Sequence, residues 1–165
     1  MVKKRKTALF SIPCLILLLS SILVTIPTQK TAHAATGWQV ISSPISDFKS
    51  RLNDVVVINP NYVLAVGHTA TKGLLIQQWN GSQITASNPL PDYPDFNPMR
   101  IKVLDQNNIW VVGANNSSDT KPFIVHFDGT SWQRVATPET GTDLVLYDIT
   151  ASSATDIWAV GQGRI

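Results

Sequence analysis

The chain has 165 residues, 44% of them hydrophobic and 15% charged, with a formal net charge of +2 and one cysteine. That is enough apolar sequence for one packed domain, too little charge for a disordered tail, and too few cysteines for a disulfide framework. The positive charge is local: Lys3, Lys4, Arg5, Lys6 and Lys30 supply 5 of the 13 basic residues, and from Ala35 onward 8 basic against 11 acidic residues leave −3, which argues against a nucleic-acid surface.

The chain opens with a basic segment, Met1 to Lys6, followed by an apolar run from Ala8 to Ile26. Ala32-His33-Ala34 then places small residues at −3 and −1 before Ala35. This is the three-part pattern of a secretory signal peptide. It predicts a membrane-inserted helix over the apolar run, cleavage after Ala34, and a secreted or cell-surface domain over residues 35–165. The positive end stays in the cytosol, and the small side chains fit the peptidase's narrow pockets. The run approaches the ~20 residues that span a bilayer, so the alternative is an uncleaved N-terminal anchor. Cys14, within Ser11-Ile12-Pro13-Cys14, does not resemble a lipobox and reads as an apolar residue of the inserted helix. Cleavage leaves a mature chain without thiol chemistry and without a membrane segment.

The remainder repeats itself. Tyr62-Val63-Leu64-Ala65-Val66-Gly67, Asn108-Ile109-Trp110-Val111-Val112-Gly113 and Asp156-Ile157-Trp158-Ala159-Val160-Gly161 end on glycines 46 and 48 residues apart. Leu75-Ile76-Gln77-Gln78-Trp79-Asn80-Gly81 and Phe123-Ile124-Val125-His126-Phe127-Asp128-Gly129 end 48 apart. Elements starting at Trp38, Ile84 and Trp132 drift by the same 46 and 48. A period of 40 to 50 residues marks a propeller or solenoid array.

The repeated elements read as strands: short, rich in Val, Ile, Trp and Phe, and bounded by Gly, Asn, Asp or Pro. Each repeat offers four. The first strand is Leu52 to Ile58, Met99 to Leu104 or Leu146 to Ala151. The second ends at Gly67, Gly113 or Gly161. The third ends at Asn80-Gly81 or Asp128-Gly129, pairs suited to a tight type I′ hairpin, in which both central residues need positive φ. The fourth begins at Trp38, Ile84 or Trp132. No window beyond the signal carries helical periodicity, which excludes a helical solenoid. The fold class is all-β: a partial β-propeller of about three four-stranded antiparallel blades, preceded by a signal-peptide helix.

Asp156-Ile157-Trp158-Ala159-Val160-Gly161 and Phe127-Asp128-Gly129-Thr130-Ser131-Trp132 resemble the D-I-W-A-V-G and W-D-G-x-x-W repeats of secreted bacterial β-propeller proteins. These are loosely akin to kelch, sialidase-type and photosystem II assembly-factor propellers. The resemblance runs from about Trp38 to Gly161 and implies architecture far more than function. The double glycine of kelch strands is missing, and Asp128-Gly129 lacks the intervening residue of a sialidase Asp-box. The first repeat has Leu64 and Ile84 where the others have tryptophan.

Residues 35–165 number 131, about 2.8 repeats, whereas closed propellers use 4 to 8 blades. The expectation is a fragment of a longer propeller or, second, a protomer that completes a ring by oligomerising. An open stack exposes a sheet face and strand edges, which favour association.

Gly67, Gly113, Gly161, Gly81 and Gly129 are read as repeat-structural positions. So are Trp110, Trp132 and Trp158, whose recurrence points to packing between blades rather than sugar stacking; Trp38 and Trp79 are read the same way. His68, just after the second strand, and His126, a strand residue facing solvent, occupy different repeat positions and do not make a zinc site. Pro91-Asp92-Tyr93-Pro94-Asp95-Phe96-Asn97-Pro98 reads as a proline-stiffened connector, matched by Pro44 to Arg51 and Pro138 to Asp143, rather than a calcium loop. Asn80-Gly81-Ser82 and Asn115-Asn116-Ser117 match glycosylation sequons but read as turns. Arg51, Arg100, Arg134 and Arg164 do not occupy equivalent positions, and no nucleophile elbow, P-loop or zinc-protease motif is present. Nothing selects an acid such as Asp148 or Glu139 for acid–base work. The expected function is a non-catalytic extracellular binding module with no cofactor and no metal, its partner a protein or a glycan. The alternatives are an N-terminal piece of a glycan-active propeller enzyme and a lectin-like protomer.

Overall fold

The structure, a computed structural model, describes residues 40–45, 49–69, 73–116, 120–138 and 142–164. The signal segment, the cleavage residues Ala32, Ala34 and Ala35, and Trp38 lie outside the described residues. Among those described there are ten strands and no helix: β1 (Arg51–Asn59), β2 (Tyr62–Thr69), β3 (Gly73–Trp79), β4 (Ile84–Ser87), β5 (Phe96–Asp105), β6 (Asn108–Asn115), β7 (Lys121–Phe127), β8 (Trp132–Val135), β9 (Thr142–Ser153) and β10 (Asp156–Arg164). They form two four-stranded sheets, β1-β2-β3-β4 and β5-β6-β7-β8, and the hairpin β9-β10. Every pairing is antiparallel between neighbours in sequence. The fold is all-β, built as meanders.

The first hairpin of each unit is built alike. Its two-residue turn is closed by Asn59↔Tyr62, Asp105↔Asn108 or Ser153↔Asp156. In each turn a side-chain oxygen accepts the amide two residues on, Asn59 from Asn61, Asp105 from Asn107 and Ser153 from Thr155. Near the other end sits a β-bulge, where Leu52, Pro98 and Leu146 pair with Gly67, Gly113 and Gly161. A methyl group on those glycines would lie 1.7, 2.1 and 1.9 Å from the carbonyl oxygens of Arg51, Asn97 and Val145. The bulge presses one strand's backbone onto its partner, and only a residue without Cβ allows that approach.

The core lies between the two four-stranded sheets. Leu64, Val66, Leu74 and Ile76 of the first face Phe96, Ile101, Ile109, Val111, Phe123 and Val125 of the second, all under 8% exposed. Phe123 tilts against Phe96 at 4.4 Å and meets Tyr93 edge-on at 5.0 Å. Such ring pairs add to plain area burial. The outermost strands β4 and β8 have four residues each, a length that leaves little free edge for unwanted pairing.

Several expectations need correction. The hairpins at Asn80-Gly81 and Asp128-Gly129 are not two-residue turns: Trp79↔Ile84 and Phe127↔Trp132 close four-residue loops. Only Gly81 and Gly129 have positive φ there, 93° and 92°. The side chain replaces the second left-handed residue: Asn80 Oδ1 accepts the amides of Ser82 and Gln83, and Asp128 Oδ1 those of Thr130 and Ser131. The first strands are longer than predicted because pairing continues through the bulge. The connector at Pro91–Pro98 stops early, since Phe96, Asn97 and Pro98 already belong to β5. Pro98 is tolerated because β5 is an edge strand and the residue sits at its bulge.

Candidate functional site

The first strands of the three units, β1, β5 and β9, run side by side across the sheet stack. At their starting ends the bulges place polar side chains in a row. Shifting by 46 and then 48 residues puts Asp54, Arg100 and Asp148 at one repeat position. Each directly follows its bulge and pairs with Val66, Val112 or Val160.

These residues tie the units together. Asp54 Oδ1 accepts its neighbour's amide, Val55 N, at 2.9 Å, and Oδ2 accepts Ile101 N of the next sheet, also at 2.9 Å. Asn53 Nδ2 donates to the Pro98 carbonyl at 2.6 Å and to Asn97 Oδ1 at 3.5 Å. One unit further, Asp148 Oδ1 accepts Ile149 N at 2.9 Å and stands 3.8 Å from Arg100 Nε. That ion pair is half-exposed or more on both sides and contributes at most about 1 kcal/mol. The Asp54 bond carries more, because it satisfies an amide that the bulge has released from the ladder. The result is a row of alternating charge, minus, plus, minus, at the mouth of the stack.

Beside this row lies a cavity of about 420 Å³ between the second sheet and the β9–β10 hairpin. Pro122, Ile124, Leu144, Ala159 and Gly161 line it, and it is largely apolar. A second cavity, about 280 Å³, lies on the far face of the first sheet among Ile41, Val55, Val63, Ala65 and Trp79. Ser43 holds residues 40–45 over that face by accepting Gln77 Nε2 at 2.8 Å.

The tryptophans at one repeat position differ in surroundings. Trp110 is half-buried, stacked on His126 at 4.1 Å, and donates to Asn108 Oδ1 at 2.7 Å. Trp158 donates likewise to Asp156 Oδ1 at 2.7 Å, yet is 67% exposed. It does not pack between sheets as its recurrence predicts, because among the described residues no strand covers β10 on that side. Trp132 packs at the core's margin, 5.3 Å from Phe127. Trp79 donates to the Pro60 carbonyl at 3.2 Å.

His126 is not a solvent-facing residue: the Trp110 indole covers it, and Asn108 Oδ1 lies 2.9 Å from Nε2. His68 is inside β2 rather than after it. Its burial, with Arg51 nearby, holds its pKa below the usual 6.5. Asp128 is held below the usual carboxylate value by the amides of Ser131 and Thr130, and Asp156 by bonds from Ser152 and Trp158. All three are turn or ladder positions rather than a convergent centre. Among the described residues no three His, Cys, Asp or Glu side chains form a group that could hold a metal ion. Glu139 lies outside the described residues. Arg134 lies over the Phe123 ring at 4.9 Å and the Tyr93 ring at 5.9 Å, a structural use of its charge.

Asn53, Asp54 and Arg100 escape a motif search, because the signal is positional: the column Asp54, Arg100, Asp148 emerges only once the repeats are aligned on their glycines. Comparison with known proteins gives no match, whether to a family model, a curated protein or a solved structure.

Proposed function

We propose that this chain is a non-catalytic extracellular binding module built on β-propeller repeats. The observation that carries the reading is the stacking of like units with their first strands adjacent. Two four-stranded meanders and a third hairpin share one bulge position, and β1, β5 and β9 lie together at one edge of the stack. Blades of a propeller stack in this manner around an axis. Such a scaffold presents its binding groups at an end of the stack. Here that end carries Asn53, Asp54, Asn97, Arg100 and Asp148, whose hydrogen bonds and ion pair suit recognition of a polar ligand, a glycan or a protein loop. The signal pattern at residues 1–34 supports an extracellular setting.

A glycan array and a panel of surface proteins, probed with the full chain and with Arg100→Ala, test the proposal. Saturable binding that Arg100→Ala weakens, without turnover of the bound glycan, is the expected result. Hydrolysis of a glycosidic substrate refutes the non-catalytic reading and favours the enzyme alternative.

A further inference from the structure

The repeat makes the two interfaces between units comparable residue by residue, and they differ in one respect. At the first interface Phe123 of β7 pairs with Gly113 of β6 and buries its ring fully beside Phe96, in one cluster with Leu74 and Ile76. Moving 48 residues on, Leu74, Ile76, Phe96 and Gly113 become Pro122, Ile124, Leu144 and Gly161. Those four line the 420 Å³ cavity. The cavity therefore sits where the first interface holds the ring of Phe123.

The backbone beside it is open as well. Among the described residues β10 pairs with β9 alone, whereas β2 and β6 are paired on both sides. Trp158 and Val160 are 67% and 62% exposed on this hairpin. At the same positions of the second sheet, Trp110 is stacked on His126 and Val112 is fully buried. A cavity for one side chain and an unpaired strand edge call for the same object.

We propose that the β10 edge and the adjoining cavity form one docking site for an extended strand of a separate polypeptide. The strand pairs antiparallel with β10 and inserts a large apolar side chain opposite Gly161. Main-chain hydrogen bonds supply affinity in this mode, and alternate side chains supply selectivity. The registers of β3 and β7 specify the incoming sequence. Opposite the glycine stands Leu75 or Phe123; opposite the position of Trp158 stands Gln78 or His126; opposite that of Ile157 stands Trp79 or Phe127. The strand thus reads Leu or Phe, two residues, Gln or His, then an aromatic. A second copy of this chain does not offer such a strand, since its β3 and β7 are hydrogen-bonded on both sides within their own sheets. The inference needs only the repeat of the sheet units, not a closed ring or the ligand-binding role proposed above.

The probe is a fluorescently labelled peptide with the sequence of residues 121–129, titrated with the full chain and read by anisotropy. Saturable binding is expected. The same peptide with Ala in place of its first Phe binds about tenfold more weakly or worse, because burying a phenyl group is worth at least that factor. Ala159→Trp in the protein, which fills the cavity, lowers binding comparably. Because that variant can fail to fold, the peptide pair carries the decision. Equal binding of the Phe and Ala peptides, binding of a scrambled peptide, or no saturable binding overturns the proposal. Sedimentation of the full chain as a dimer that excludes the peptide also overturns it, making a second copy the occupant.

Discussion

Replacing Gly113 with alanine tests the structural meaning of the repeated glycine. The added methyl would lie 2.1 Å from the Asn97 carbonyl oxygen. Real contacts of this kind stay beyond 3.0 Å, so the bulge must open by about 1 Å. At that distance the Pro98–Gly113 pairing fails and a buried carbonyl loses its partner, a cost of about 3 kcal/mol. Against this, alanine restricts the unfolded chain and stabilises by about 0.4–1 kcal/mol where its conformation is allowed. The clash wins, leaving a net loss of about 2–3 kcal/mol and a fall in Tm of roughly 10 °C. Gly161→Ala meets a similar clash, 1.9 Å from the Val145 oxygen, but on an exposed edge hairpin that can yield; its loss is about 1 kcal/mol. Urea titration followed by circular dichroism, with a thermal melt, measures both. A Gly113→Ala protein melting at or above the parent temperature refutes the close-approach argument.

Phe123→Ala empties the centre of the first interface and costs about 3–5 kcal/mol by denaturant titration, as for other fully buried aromatics. Asp54→Ala removes the acceptor of Ile101 N and lowers stability by about 1–3 kcal/mol; Asp54→Asn, which keeps one acceptor oxygen, loses less. Because the His68 pKa is lowered in the fold, the unfolded chain binds its proton more readily. The stabilisation is complete above the ordinary value of 6.5 and declines as pH falls below it toward the folded value; His68→Gln should flatten melting temperature between pH 7 and pH 5. Trp110→Ala should cost about 2 kcal/mol through its lost stack on His126, whereas Trp158→Ala, at the same repeat position but 67% exposed, should stay within about 0.5 kcal/mol.

The sequence by itself determined the unit. Glycines at 67, 113 and 161, with apolar runs before them and Asn-Gly or Asp-Gly after the next run, are short-range signals. Strand propensity and turn chemistry act within a few residues, so they place strands and antiparallel partners without knowledge of the whole. What they misjudge is local geometry that a side chain can supply in two ways. The Asn80 and Asp128 loops adopted four residues because their side-chain oxygens cap two amides, leaving one left-handed glycine where a type I′ turn needs two such residues.

Only the tertiary structure decided which faces meet. Trp110 and Trp158 occupy one repeat position, yet one is stacked and the other mostly bare, because burial depends on the neighbouring strand rather than on the residue. Asp54 acquired its purpose from an amide 47 residues away, at Ile101. The cavity beneath β10 likewise exists only as a relation between two units. Contacts across such distances are set by how preformed sheets stack, and stacking is a property of their surfaces in space, which no local pattern encodes.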